Sequence, residues 1–491
     1  MRPDLNRCDG RAARWTLRAI GEAVSTPSPA TLERAYRVRL RPTKAQARVL
    51  SRLFGAVRGV WNWALREKEA AWRADGTKLS GIDLSRLFTT LRQAPETAWL
   101  GELPREPFNQ VLRNFDTAWR NFFSGRVRRP RRKRFGTVQS ARFTLDQRRR
   151  GLVAVQGKHG SVQLDGIGRV RFRVSEPMQG RLRSVTVSRD GAGRWFACFT
   201  ADGVPTPATF TAMLPSIGVD LGLRDTAALS TGEKVAAPKH LCHALATLRR
   251  YQRHYGRQRD AAARRQGLDP GRALPKGTRI DVSNRMRVTR QRNGRMHARI
   301  ADRRRDHQHQ LTARLVASAQ VICIEDLAVK AMGRSTGWRA FRRSVGDAGL
   351  GEIRRQLVYK AAWRGRVVSA VGRFYPSSKT CSACGHVYGG LRRNDDHWVC
   401  RPCGAGHDRD YNAAITIERE GLRLLAEGSG GDAGSTRRSR GTDARGEFAC
   451  AAGSSSPAGQ PSSSNREPDR RAAPPPIPSA SRDGPVNAGD G

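Results

Sequence analysis

The sequence predicts a multidomain protein that joins α/β architecture to a small β-barrel, and three observations carry that prediction. Apolar residues recur at helical spacing early in the chain, at a period of two from residue 141 to 200, and then in alternating strands and helices. Two apolar strands each carry a lone carboxylate near their end. Four cysteines fall in two CxxC pairs.

The charge is the strongest compositional signal. Ninety Lys and Arg against 43 Asp and Glu leave a formal charge of +47 in 491 residues. Such an excess repels itself in a compact fold, so it calls for a polyanionic partner, and nucleic acid is the natural one. No apolar run of about 18 residues exists, which gives no membrane span and no membrane partner. MRPDLNRCDGRAARW lacks the apolar core of a signal peptide. Cys8, Cys198, Cys242, Cys323 and Cys450 are scattered singly while four others cluster, a usage suited to a reducing cytosol and a metal rather than disulfides.

Residues 1–34 lack periodicity and read as a flexible extension. AYRVRL (35–40) alternates as a strand should. Thr43 followed by Gln46 suits a capping box, and Leu50, Leu53, Phe54, Val57, Trp61 and Ala64 then recur on one helical face. Phe108, Val111, Leu112, Phe115, Trp119 and Phe122 write a second amphipathic helix, whose aromatics at this spacing belong to a core. In GRVRRPRRKR (125–134) a proline blocks helix formation among seven basic residues. Arg128, Arg129, Arg131, Arg132, Lys133 and Arg134 then form an extended arm suited to phosphates, the alternative being a solvated linker.

RVRFRV (169–174) and SVTVSRDGAGRWFACFT (184–200) read as strands, the second a hairpin turning at Asp190-Gly191. PSIGVDLGLRDTAALSTGEKV (215–235) gives two strands around Thr231-Gly232. Basic helical sequence follows, broken near GLDPGRALPKG, until AQVICIEDL supplies a buried strand ending at Glu325. Asp347 is placed to cap the helix carrying Leu350, Ile353 and Leu357, and RVVSAV (366–371) is another strand. A final helix starts near Asp408. After residue 427, Gly, Ser, Pro and charge dominate, so the tail is expected to be disordered.

Cys381 and Cys384, then fifteen residues, then Cys400 and Cys403 have zinc-ribbon spacing. Each pair closes a knuckle that presents two thiolates about 2.3 Å from a tetrahedral Zn²⁺. Gly385 and Gly404 follow the pairs, where a tight turn needs positive φ. Four thiolates leave no place for water, so one structural zinc is expected, and His407 is superfluous to it. An iron–sulfur cluster fits less well, since no redox machinery accompanies it.

In SIGVDLGL, Ile217, Val219 and Leu221 share one strand face and Asp220 points to the other. A carboxylate among apolar neighbours is costly unless it is paired or holds a metal. Glu325 ends its own apolar strand, with Asp326 beside it pointing the opposite way. Lone acids at strand ends also serve as caps or ion pairs, so neither decides alone. Asp408 and Asp410 are two apart, hence about 200° around a helix, and only one can face a shared metal. Asp408 suits the N-cap, leaving Asp410 in the first turn. Strand-Asp, hairpin, helices, strand-Glu and helix-Asp is the order of an RNase H-like nuclease, whose acids hold two Mg²⁺ about 4 Å apart. One ion activates water and the other stabilises the leaving 3′ oxygen. Carboxylates suit hard Mg²⁺ and thiolates do not, so the two clusters should bind different metals.

GVDLGLRDTAALSTG, IEDLAVKAM, FYPSSKTCSACG and CGAGHDRDYNAA resemble, in order and spacing, the RuvC segments and zinc ribbon of TnpB proteins. These are transposon-encoded nucleases related to type V CRISPR effectors. RVRLRPTKAQ, RPRRKRFGTVQSARF and the hairpin SVTVSRDGAGRWFACFT extend the resemblance over about residues 35–425. It implies an RNA-guided DNA endonuclease that binds a guide RNA, reads a short motif beside the double-stranded target, and cuts at a single RuvC site in a bacterial cytoplasm, nucleoid-associated when bound to DNA. Its acids map onto Asp220, Glu325 and Asp410, and its zinc ligands onto the four clustered cysteines.

The implied layout is a wedge-type barrel (35–42 and 126–210) split by a helical recognition insert (43–125). A RuvC-like domain (211–375), an inserted ribbon (376–406) and a final RuvC helix (407–426) follow. Ala328 and Ala331 stand where the family often has Asn and Gly, and NAAITI replaces the commoner NAARNI, which puts the surroundings of the acids in doubt but removes no carboxylate. Two other readings stay open. One is a catalytically weak or inactive RNA-guided DNA-binding protein, a repressor or transposition accessory. The other is a strand-transferring transposase, which the resemblance disfavours.

Overall fold

The computed structural model describes residues 31–134, 139–145, 151–206, 212–272, 278–334, 339–392 and 395–428. Most of the expected N-terminal extension (1–34) and nearly all of the expected disordered tail (427–491) lie outside them. The first strand, β1 (Thr31–Arg41), starts earlier than the alternation suggested, because Thr31 and Leu32 pair with Pro205 and Val204.

β1 is the middle of a seven-stranded antiparallel sheet with β2 (Gln139–Thr144), β3 (Val153–Gln156), β4 (His159–Leu164), β5 (Gly168–Arg173), β6 (Arg181–Arg189) and β7 (Trp195–Pro205). Its order is β2-β6-β7-β1-β5-β4-β3. Val162, Phe172, Val185 and Phe199, from both halves of the sheet, share one buried cluster, so the sheet curls around its apolar face. The end strands β2 and β3 are not hydrogen-bonded to each other among the described residues, so the expected barrel is an open curl there. Cys198 on β7 is disulfide-bonded, so the scattered cysteines are not all free thiols.

Helices α1 (Lys44–Asp75), α2 (Gly81–Gln93) and α3 (Glu106–Phe123) lie between β1 and β2. Thr43 and Gln46 form the expected capping box, and Gly76 closes α1 in the left-handed region at φ 72°. Phe108, Val111, Leu112, Phe115 and Trp119 are buried, with Phe115 against Trp61 and Phe108 against Phe88, so these aromatics are core.

The second sheet has β8 (Leu214–Asp220), β9 (Asp225–Leu229), β10 (Lys234–Ala236), β11 (Ala319–Glu325) and β12 (Val367–Val371) in the order β10-β9-β8-β11-β12. Three strands therefore form where the sequence suggested two, since Gly222 lets the chain reverse straight after Asp220. β8, β11 and β12 run parallel; β9 and β10 run antiparallel to their neighbours. Long helices α4 (His240–Arg265) and α5 (Asn284–Ser318) separate β10 from β11. The short α6 (Val329–Met332), then α7 (Arg339–Ala348) and α8 (Leu350–Trp363), precede β12. Asp347 does not cap α8, whose N-cap is Gly349; its Oδ2 accepts instead from the Leu241 amide in the first turn of α4, 2.9 Å away.

The last helix, α9 (Arg409–Ala426), lies on this sheet antiparallel to β8. Ser216 donates to Glu418, and Gly218 faces the Ala414 carbonyl. Two strand residues span about 6.6 Å and four helix residues about 6 Å, so the match continues outward to Asp220 beside Asp410. A Cβ at residue 218 would collide with the Ala414 carbonyl oxygen and the Glu418 side chain. Gly218→Ala is expected to destabilise this layer by about 1–3 kcal/mol, measured as a lower urea midpoint.

Candidate active site

Asp220 and Glu325 end neighbouring parallel strands, with Val219 opposite Ile324 in register, so both carboxylates emerge at the same sheet edge. Asp410 reaches that edge from the first turn of α9. Asp220 is half-buried in the floor between them. Burial first, then the charges of Glu325 and Asp410, push its pKa up to about 7, against the opposing pull of Arg409 and Lys234. Burial also raises the pKa of Glu325, although the Ser377 hydroxyl donates to its Oε1. Asp410 is held by Arg409 at 3.0 Å. The cluster is a concentration of negative charge that a cation would relieve, and its hard oxygen donors fit Mg²⁺. Among the described residues, no three acidic ligand atoms lie within 4.8 Å of one another, so the acids are spread wider than one small ion spans.

Two clefts flank the acids. One, of about 590 Å³, is lined by Asp220, Asp410, Arg224, Lys379, Arg392 and Arg409. The other, of about 810 Å³, holds Glu325 with Lys330, Arg334, Arg354 and Arg373, and Ala328 and Ala331 lie in its wall. Two neighbouring acids, Asp326 and Asp408, are tied into the fold by side-chain and backbone partners. Asp326 is tied to Arg354 and, at 2.9 Å, to Arg373; these bonds outweigh burial and hold its carboxyl below the ordinary range. Asp408 caps α9 by accepting from the Tyr411 amide at 3.0 Å, and pairs with Lys234 at 2.7 Å.

The cysteine cluster sits directly before this helix. Cys381 and Cys403 Sγ are 3.7 Å apart, and Cys384 and Cys400 Sγ 3.6 Å. A tetrahedron with 2.3 Å metal–sulfur bonds has edges of about 3.8 Å, so the four thiols fit such an ion. The two knuckles repeat one geometry. The Gly385 amide donates to the Cys381 carbonyl and the Gly404 amide to the Cys400 carbonyl, with φ of 81° and 71° at the two glycines. His407 Nε2 lies 3.0 Å from Cys381 Sγ, and its ring packs on Trp398, which stacks on Tyr388. Burial resists ionisation of Cys381, but donors from Cys384, Ala383 and His407 outweigh it and bring the thiol to about 6.

Several residues in this machinery escaped the sequence reading. Asn412, buried on α9, donates to the Thr380 carbonyl at 2.7 Å and accepts from the Ser382 amide at 2.9 Å, pinning the first knuckle to the acid-bearing helix. Thr416 donates to the Ser377 carbonyl at 2.8 Å, and Ser377 holds Glu325. The only signal was a polar residue beside Ala413 and Ala414 on the face that meets the sheet.

The basic arm is docked rather than free. The Arg131 and Lys133 carbonyls accept from Trp61 and Asn62 of α1, Lys133 sits 3.7 Å from the Trp61 ring, and Arg129 pairs with Glu69 at 2.8 Å. Arg128, Arg131 and Arg132 are exposed and make no ion pair among the described residues.

Family models match three parts of the chain: a helix-turn-helix domain over residues 32–77, a "Probable transposase" over 204–336, and a Cas12f1-like TNB domain over 351–417. Over 32–77 the structure has a strand and one long helix. A Streptomyces pristinaespiralis protein named "Putative RNA-guided DNA endonuclease" is 36% identical over 403 residues, 81% of this chain and 92% of the relative. One of the same description from Escherichia coli K12, InsQ, is 28% identical over 80% of this chain and 94% of its own length. A TnpB-like protein of Acanthamoeba polyphaga mimivirus is 21% identical over 81% of this chain and 75% of its own. By its close relatives and the family models along its length, the chain belongs to the TnpB family.

Proposed function

We propose that this protein is an RNA-guided, Mg²⁺-dependent DNA endonuclease with an RNase H-like RuvC site formed by Asp220, Glu325 and Asp410. The observation that carries the reading is the meeting of these acids, from two parallel strands and a helix, at one sheet edge between basic clefts. A chain of charge +47 has little reason to gather carboxylates where phosphates would pass, unless they hold cations. When bound, two such ions supply the charge that activates water and stabilises the departing 3′ oxygen. Asp220 accepts a ligand role by giving up the proton that its crowded site favours. Arg409 moves from Asp410 to substrate phosphate, and Lys379, Arg392 and Arg224 hold the strand along the cleft. Cys381, Cys384, Cys400 and Cys403 hold one structural Zn²⁺.

The relatives' names support a guide RNA and a DNA target as partners. In this reading the curled sheet (35–42 and 126–210) and its helical insert (43–125) form the wedge and recognition parts. Residues 211–375 and 407–426 form the nuclease, and 376–406 the ribbon. The test is cutting of matched double-stranded DNA by the purified protein with its guide RNA and Mg²⁺. Guide-dependent binding with no cutting under any divalent ion would favour a repressor instead.

The arm makes its own prediction. Replacing Arg128, Arg131 and Arg132 together with alanine is expected to weaken nucleic-acid binding at all sequences. The slope of log K against log salt should flatten by about two to three units, read by titration at several salt concentrations.

A further inference from the structure

Between the two clefts that flank the acids, the chain runs from Arg373, in the wall of one, to Ser378 and Lys379, in the wall of the other. Strand β12 delivers this crossing to the acids, since its last residue, Val371, pairs with Glu325 in register. Two bonds pin the start of the crossing: the Asp326 amide donates to the Val371 carbonyl and Arg373 donates to the Asp326 carboxylate, both at 2.9 Å. Further along, Tyr375 packs against the cluster that holds Val371 and Ile417, and its amide closes a turn on the Gly372 carbonyl at 2.9 Å. Ser377 is buried and donates to Glu325.

Phe374 is the exception in this tied-down stretch. It is 93% exposed, more than any other large apolar residue among the described residues, and no ring or cation contacts it there. A loose loop could carry such a ring in passing, but this turn is held on both sides, so the ring stands fixed in water. A phenyl left there forgoes the burial that most phenylalanines gain. Three chain steps separate it from Val371, so its Cα lies within about 11 Å of the residue beside Glu325.

Cations stand on either side of the ring: Arg334, Arg354 and Arg373 in one cleft, Lys379, Arg392 and Arg409 in the other. A positive track with a flat ring along it suits single-stranded nucleic acid, whose backbone lies on the cations while a base lies on the ring. A folded protein partner would call for a wider apolar patch than one side chain offers.

We propose that Phe374 is a substrate-positioning residue, its ring stacking on one base of a single strand that crosses between the clefts and so fixing the adjoining phosphate over the acids. That this strand is the one cut rests on the nuclease reading; the stacking itself does not. Every base has a π-face, so the contact adds hold without adding sequence preference.

The first test maps the contact with cutting switched off. Full-length, zinc-loaded protein in Mg²⁺-free buffer is mixed with an oligodeoxythymidylate of about 16 nucleotides in which 5-iodouracil replaces thymine. After near-ultraviolet irradiation, trypsin cleaves behind Arg373 and Lys379 and releases Phe374–Lys379, in which mass spectrometry places any cross-link on one residue. A cross-link on Phe374 is expected, and none on this peptide from Phe374→Leu. No cross-link at Phe374, or one on Tyr375 in its place, overturns the proposal.

The second test reads cutting of matched DNA with guide RNA and Mg²⁺. Phe374→Ala is expected to lower the rate at saturating DNA about tenfold, to move the half-saturating concentration less than about threefold, and to be rescued by Phe374→Trp. The melting temperature should stay within about 2 °C, because the ring is exposed. Parental cutting by Phe374→Ala, or failure of tryptophan to rescue it, overturns the positioning role and leaves the acids where they are. If the parent itself does not cut, the nuclease reading fails and the cross-link alone decides the stacking.

Discussion

Asp220→Asn is expected to abolish cutting while making the metal-free protein harder to melt. The first half follows from the proposed ligand role: loss of one carboxylate from the cluster should lower the cleavage rate by about 10³-fold or more. The second half follows from electrostatics. The Asp220 carboxyl sits at about 7 in the fold against an ordinary 3.8, so the folded state binds that proton more tightly than the unfolded chain does. The ionised group therefore costs stability. The cost is absent below about pH 4, grows between pH 4 and 7, and is complete above pH 7, where it reaches at most about 4 kcal/mol. Asparagine escapes it. With a chelator present, the variant should melt a few degrees above the parent at pH 8, and the difference should shrink as pH falls through 7 and vanish near 4. A variant that cuts normally would remove Asp220 from the site. One that melts below the parent at pH 8 would show that the carboxylate is already compensated.

Cys400→Ser is the second large effect. Cys400 is wholly buried and contributes one corner of the thiol tetrahedron, so serine should release the proposed zinc ion. Structural zinc contributes folding free energy directly, on the order of 10 kcal/mol, so the ribbon should lose its order with it. Asn412 would then lose Thr380 and Ser382 as fixed partners, and Ser377 would no longer be held on Glu325. Cutting is expected to fall at least about a hundredfold, with zinc content dropping from one ion per chain and the main melting transition little changed. Retained zinc and parental cutting in this variant would sink both the ligand assignment and the link to the acids.

Features written within a few residues were legible in the sequence. The Thr43 capping box, the left-handed Gly385 and Gly404, and Asp408 as the α9 cap each depend on neighbours three or four positions away. An acid ending an apolar strand was equally visible, because Asp220 and Glu325 break a local rule that burial enforces. Pairings across the chain were not. The amide that Asp347 caps lies 106 positions away, whereas a local reading could offer it only the next helix. Thr31 and Leu32 look like loop until β7 supplies partners more than 170 residues on. Asn412 resembles any helical asparagine, since nothing nearby in sequence shows that a knuckle backbone needs both ends of its amide.

The tether between Cys403 and Asp410 has a consequence for how this region tolerates insertion. It spans six residues, through β14 (Gly406–Asp408), which pairs with β13 (His397–Val399) and runs straight into the Asp408 cap. One added residue inside α9 ahead of Asp410 would swing that carboxylate by about 100° around the helix. One added before the cap would break the strand pairing. The loop before β13 carries no such constraint on phase. Length variation among relatives should therefore accumulate between Tyr388 and Asp396, while the distance from Cys403 to Asp410 stays fixed.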